Sequence, residues 1–304
     1  MGLLAVLVSC QGCQESEPGS SGPHPRPVSV EMDTLESNFY EGMEWDLADT
    51  RMHRFAGTMD TKNRYTSTVM LSMDEPIKSV DCSGILLAPR LVLTAGSCVC
   101  ARREVTTSPA SGGVLLDSSR CVEQVFVTTV LYESAIDEFR VDKRFHTVMG
   151  LVKPHPEFRL VLDGQGDAVE NHADLAVILL EKPMLGGFPA VPLAKTEAQI
   201  GELLTMAGYG HDEVIGTVFG TRYFRKNRVT AVDVMGGGSF RYEQQGPYLF
   251  EGYDGGPCLR EDERGARLVG IASVGSHRQL LCTSIPAYWE WLRAELQSSR
   301  KQSP

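Results

Sequence analysis

The chain has 304 residues, 42% of them apolar, with 30 glycines and a formal net charge of -10. That length suffices for one large or two ordinary domains with a sizeable core. The acidic balance without any basic run argues against nucleic acid as a partner, and no stretch reaches the roughly 18 to 20 apolar residues of a membrane helix.

Residues Met1 to Cys10 form a short apolar run ending in Leu7-Val8-Ser9-Cys10. This ending resembles a bacterial lipobox, in which the cysteine is lipidated and everything before it is removed. A plain secretory signal and an apolar start of no function stay open beside it, since no Lys or Arg precedes the run. Residues 11–50 divide into a Pro-, Gly- and Ser-rich stretch to about Val30 and a segment with Leu35, Phe39, Tyr40, Met43 and Trp45. The first cannot bury enough surface to offset ordering and reads as a disordered tether. The second reads as a helical turn or two, or as a pro-segment. Residues 51–304 read as one domain.

Within it, short Val/Leu/Thr runs bounded by turn residues predict an all-β fold. Residues 64–73 and 83–93 read as strands, with Pro89-Arg90 as the turn inside the second run. Residues 101–120 read as a loop, 121–131 and 148–153 as strands, His155 as a surface turn residue, and Gly164 to Asp167 as a turn. Residues 203–210, 222–234 and 269–276 supply further strands, and Gly236-Gly237-Gly238 a turn. From Pro286 onward, Tyr288, Leu292 and Leu296 recur at four-residue steps, which predicts a C-terminal helix.

Three segments carry the chemistry. Glu251-Gly252-Tyr253-Asp254-Gly255-Gly256-Pro257-Cys258 resembles the nucleophile loop of trypsin-like serine proteases, whose pattern is Gly-Asp-Ser-Gly-Gly-Pro. Cys82-Ser83-Gly84-Ile85-Leu86, followed by Leu91-Val92-Leu93-Thr94-Ala95-Gly96-Ser97-Cys98, is similar to the segment around that family's catalytic histidine. Asn171-His172-Ala173-Asp174-Leu175-Ala176-Val177 is similar to the segment with its triad aspartate. The order is that of chymotrypsin. The resemblance covers roughly Phe55 to the C-terminus. It implies two packed six-stranded β-barrels and a C-terminal helix.

By the same resemblance, Ser97, Asp174 and Asp254 stand at the triad positions. Only Asp174 keeps the family's residue: a serine replaces the histidine and an aspartate replaces the serine. Gly252 and Asp254 stand in the oxyanion loop, and Tyr248, Val274 and Gly275 line the specificity pocket. Arg54 falls about where the family is processed, yet Tyr253 replaces the aspartate that would receive the freed amine. Six of the eight cysteines pair as Cys82–Cys98, Cys100–Cys121 and Cys258–Cys282 by this likeness, which implies an oxidising compartment. These six carry no Cys-x-x-Cys or paired-His spacing that would favour zinc, and no cofactor is expected.

A histidine base and a serine nucleophile do the triad's work. The resemblance with both replaced therefore implies a catalytically inactive homologue that binds a protein or peptide outside the cytoplasm, secreted or held by lipid on Cys10. Two alternatives stay open. One is an enzyme with an unconventional or residual hydrolytic site, with Asp174 and Asp254 sharing a proton or with His172, His155, His211 or His277 swinging in. The other is a structural envelope protein.

Overall fold

The computed structural model describes residues 57–73, 82–105, 113–135, 141–212, 216–232, 238–243, 253–263, 265–273 and 280–301. All lie in one compact unit, Thr50–Pro304. Cys10, Arg54, Tyr248, Gly252, Val274, Gly275 and His277 lie outside the described residues.

The first barrel closes through β2 (Thr68–Ser72), β3 (Cys82–Ala88), β4 (Leu91–Thr94), β7 (Gln124–Ala135), β8 (Val141–Pro154) and β11 (Ala176–Leu180), in the order β11-β4-β3-β2-β7-β8 with β8 back on β11. Every pairing is antiparallel. β4 is a continuous apolar run because both its faces are covered. Val69, Leu71, Ile85, Leu93, Val127 and Ile178 are among the side chains that fill this core. Arg90, in the tight turn between β3 and β4, donates through Nε to the Leu180 carbonyl at 2.9 Å and so ties the turn to the next strand.

The second barrel consists of β12 (Leu203–Asp212), β13 (Gly216–Val232), β14 (Ser239–Glu243), β15 (Pro257–Asp262), β16 (Gly265–Ser273) and β17 (Leu280–Ser284). The order β13-β12-β15-β16-β17-β14 closes where β14 pairs with β13. A two-residue strand, β1 (Thr58–Met59), adds to β13. The Cys258–Cys282 disulfide joins β15 to β17 across the intervening β16. Such a cross-link stabilises mainly by restricting the unfolded chain, by about 3 kcal/mol for a loop of this size. The two-barrel, all-β architecture read from the sequence is the one observed.

A third, four-stranded sheet flanks the first barrel: β10 (Ala168–His172), β9 (Arg159–Leu162), β6 (Gly113–Asp117) and β5 (Arg103–Val105) in that order. The loop expected over residues 101–120 is thus corrected. β5 and β6 form there because Leu116 is buried and residues 114–117 pair with β9, a tertiary contact that no local pattern announces. Cys100–Cys121 closes the base of this excursion. The C-terminal helix, α1 (Trp289–Lys301), follows a 3-10 turn at Pro286–Tyr288 and buries Leu292.

A buried polar network links the barrels. Arg222 on β13 and Asp60 beside β1 form an ion pair at 2.8 Å, with side-chain exposures of 0% and 1%. Arg222 also donates to the Tyr209 hydroxyl (2.6 Å) and the Val130 carbonyl (2.9 Å). Its backbone N–H donates to the Tyr132 hydroxyl of the first barrel at 2.6 Å. Asp60 accepts further bonds from the amides of Arg64 and Tyr65. Each charge is therefore paired and hydrogen-bonded, the condition for burying it at tolerable cost.

Candidate functional site

After β4 the chain makes a 3-10 turn at Gly96–Cys98. Two features fix it. The Cys82–Cys98 disulfide ties it to β3, and Phe158 covers Gly96 so closely that a Cβ there would lie 2.8 Å from the ring. Ser97 is left half-buried.

Asp174 meets this turn from the segment between β10 and β11 and is fully buried. The Ser97 amide donates to Oδ1 at 2.7 Å and the Ser97 hydroxyl to Oδ2 at 2.8 Å. Ser273, the last residue of β16, donates its hydroxyl to the same Oδ2, and the Gly96 amide adds a further bond. Behind Ser273, Asn171 donates through Nδ2 to the Ser273 hydroxyl at 3.1 Å. The Asn171 Oδ1 is buried with no partner among the described residues. Burial pushes the Asp174 carboxyl above its ordinary range, and the hydrogen bonds from Ser273, Ser97 and Gly96 work against that rise. Among the described residues no cation pairs with it.

The backbone before Asp174 is strained. Ala173 has φ 50°, a left-handed conformation unusual for a residue with a Cβ. Its amide donates to the Tyr288 hydroxyl at 2.8 Å, a contact from the C-terminal end of the chain that holds the turn.

Asp254 lies half-buried in the turn leading into β15. Its carbonyl accepts the Ser83 amide at 2.8 Å, and Gly255 donates to the Ala272 carbonyl at 2.8 Å. Gly255 has φ 75°, and a Cβ on it would lie 2.2 Å from the Ser83 carbonyl oxygen and 3.0 Å from Cys98 Sγ. The turn carrying Asp254 thus abuts the turn carrying Ser97. Tyr253 points into the apolar core of the second barrel, 1% exposed.

The structure therefore brings Ser97 and Asp174 into direct contact and sets the Asp254 turn against the Ser97 turn. His155 is corrected: it is 5% exposed beneath the C-terminal helix, because Tyr288 and Trp291 cover its ring. His172 is 45% exposed and lies 3.5 Å from Glu157. The sequence reading missed Ser273, Asn171 and Tyr288 as partners of the Asp174 segment. Ser273 had a usable signal, as a lone hydroxyl ending the apolar run Val269 to Ala272.

Two closed antiparallel barrels, with a buried aspartate held between a turn of the first and a strand end of the second, define a trypsin-like fold. The chain belongs to the trypsin-like peptidase domain family, whose model matches residues 82–271. Compared with curated proteins, the chain matches none significantly. Three disulfides and a trypsin-like peptidase domain fit a protein that works outside the cytoplasm, and no described helix is long and apolar enough to cross a membrane.

Proposed function

We propose that this member of the family is catalytically inactive and acts by binding a protein or peptide. The observation that carries the reading is the Ser97 hydroxyl bound to Asp174. In this reading Ser97 occupies the place of the histidine base and Asp254 that of the nucleophile. A hydroxyl does not titrate near neutral pH and cannot act as the general base that takes and holds the nucleophile's proton. A carboxylate at the nucleophile position is a poor acyl acceptor and sets negative charge where the transition state must develop more of it. Losses of this kind remove most of a triad's rate.

Tyr253 supports the same conclusion. Where the resemblance places an aspartate that would receive a freed amine, the chain packs a phenol into an apolar core. An ammonium inserted there would lack the family's carboxylate partner unless the neighbouring Asp254 supplied one, and left unpaired it would cost several kcal/mol. On this reading, cleavage at Arg54 is disfavoured as a route to activity. Tyr248, Val274 and Gly275 remain the proposed lining of the old specificity pocket, with Gly252 in the oxyanion loop. Cys10 is the proposed lipid attachment point, which would hold the domain at a membrane surface outside the cytoplasm.

The test is a peptide-library hydrolysis assay on the natural protein, before and after limited trypsin treatment, beside a variant carrying Ser97→His, Tyr253→Asp and Asp254→Ser. Silence from the natural protein with cleavage by the variant supports the reading. Hydrolysis by the natural protein that disappears on Asp174→Ala or Asp254→Ala sinks it.

A further inference from the structure

His155 sits where three elements meet. Its backbone amide donates to the Leu175 carbonyl at 2.8 Å, immediately beyond Asp174, and its carbonyl accepts the Phe158 amide at 3.0 Å. Its ring lies edgewise to Tyr288 in the 3-10 turn, with centroids 5.3 Å apart, and to Trp291 on α1 at 4.7 Å. Nδ1 accepts the Glu157 amide at 3.1 Å. An acceptor at Nδ1 places the ring's single proton on Nε2.

Tyr288 in turn accepts the Ala173 amide at 2.8 Å. The residues on either side of Asp174 are thus pinned by one aromatic cluster, Ala173 through Tyr288 and Leu175 through the His155 backbone.

We propose that His155 is a proton-operated latch of the C-terminal helix: protonating its ring releases Tyr288 and Trp291, and with them the segment that carries Asp174.

The chemistry of the latch is local. A protonated imidazole carries N–H on both nitrogens. Nδ1–H would then face the Glu157 N–H, donor against donor, inside a cluster of aromatic rings. Burial already holds the imidazole below its ordinary value, so the ring is neutral near pH 7. The surrounding charges divide. Glu157 in the same turn and Glu295 on α1 favour the proton, while His172 on β10 opposes it. Lys153 on β8 holds Glu295 in an ion pair at 2.6 Å. Burial chiefly keeps the Tyr288 phenol neutral; the Ala173 amide works against that, and Glu157 and Asp174 add to it. A group whose pKa is depressed by folding stabilises the folded arrangement above its unfolded value, about 6.5 for histidine. That contribution is lost as pH falls through the lower, folded value. The latch therefore opens on the acid side of about pH 6.5.

Nuclear magnetic resonance on the full chain tests this between about pH 7.5 and about pH 4.5. The His155 ring carbon shift reports protonation. Amide-exchange protection of Ala173 and α1 reports release, with Val127 in the first barrel as internal reference. The expected result is a fall in Ala173 protection of about tenfold or more at the midpoint of the His155 titration, with Val127 unchanged. His155→Asn retains an acceptor for the Glu157 amide and cannot titrate, so its Ala173 protection stays constant with pH, whereas His172→Gln keeps the transition. The proposal is overturned by constant protection in the natural protein, by a midpoint that does not follow the ring, by loss at Val127 in parallel, or by an unchanged transition in His155→Asn. The first three outcomes need no variant to fold.

Discussion

Ser97 meets both oxygens of Asp174, its amide on Oδ1 at 2.7 Å and its hydroxyl on Oδ2 at 2.8 Å. The carboxylate is thereby satisfied by groups that carry no charge. A fully buried carboxylate among neutral donors keeps most of its desolvation penalty, which is why its titration is displaced upward.

The sign of the resulting pH dependence is fixed. A carboxyl raised by folding contributes stability below its unfolded value, about 3.9, and loses that contribution as pH rises through the folded value. Asp174→Asn removes the charge and keeps one acceptor for the two backbone amides. The hydroxyls of Ser97 and Ser273 can turn to accept from the new amide. The variant is expected to gain stability relative to the natural protein as pH is raised from about 4 toward 8. Urea midpoints across that range check it; a constant difference would show that Asp174 does not titrate as its burial dictates.

Removing one partner of the Asp60–Arg222 pair should be among the costliest single changes. Arg222→Met strands a carboxylate that is 1% exposed, and the expected loss is about 3–5 kcal/mol. The double variant with Asp60→Asn should recover part of it, because the uncompensated charge is gone. Chemical denaturation of both variants, read as a double-mutant comparison, measures the coupling.

Gly255→Ala and Gly166→Ala separate strain from crowding. Both glycines have positive φ, 75° and 82°. A Cβ on Gly166 meets open space, whereas one on Gly255 meets the Ser83 carbonyl oxygen at 2.2 Å. Gly166→Ala should cost about 1 kcal/mol of backbone strain. Gly255→Ala should cost a further 1–3 kcal/mol or so of overpacking. Equal thermal shifts in the two variants would mean that the turn beside Cys98 is looser than its contacts indicate.

Tyr288→Phe deletes the hydroxyl that accepts the Ala173 amide and leaves that N–H buried. The expected loss is about 1–3 kcal/mol. Hydrogen exchange should place the loss at residues 171–175 rather than across the barrels.

The sequence exposed the fold well because its strands are short apolar runs with turn residues between them, as in residues 83–93, where Pro89-Arg90 separates β3 from β4. The positions of Ser97 and Asp174 followed from two short motifs, the Cys82-to-Cys98 segment and Asn171 to Val177. What surrounds Asp174 was less legible. Ser273 lies 99 residues away in sequence and Tyr288 farther still, and no local periodicity encodes such pairings. His155 was misjudged for a related reason. Between two prolines it has the signature of an exposed turn, but α1 returns from the end of the chain to cover it. The strands at Arg103–Val105 and Gly113–Asp117 were hidden by their turn-rich neighbours: the second exists through pairing with β9 and the first through pairing with the second.

The ion pair between Asp60 and Arg222 also bears on whether the molecule can be divided. Asp60 precedes the first barrel in the chain but sits beside β1 on β13, so a cut between the barrels would leave its carboxylate on the N-terminal piece and the Arg222 guanidinium on the C-terminal one. Two closed sheets suggest two modules, but a gene fragment encoding either one would carry one buried charge without its partner and is expected to be less stable than the whole domain. In thermal unfolding the pair should therefore melt as a single cooperative unit rather than in sequence.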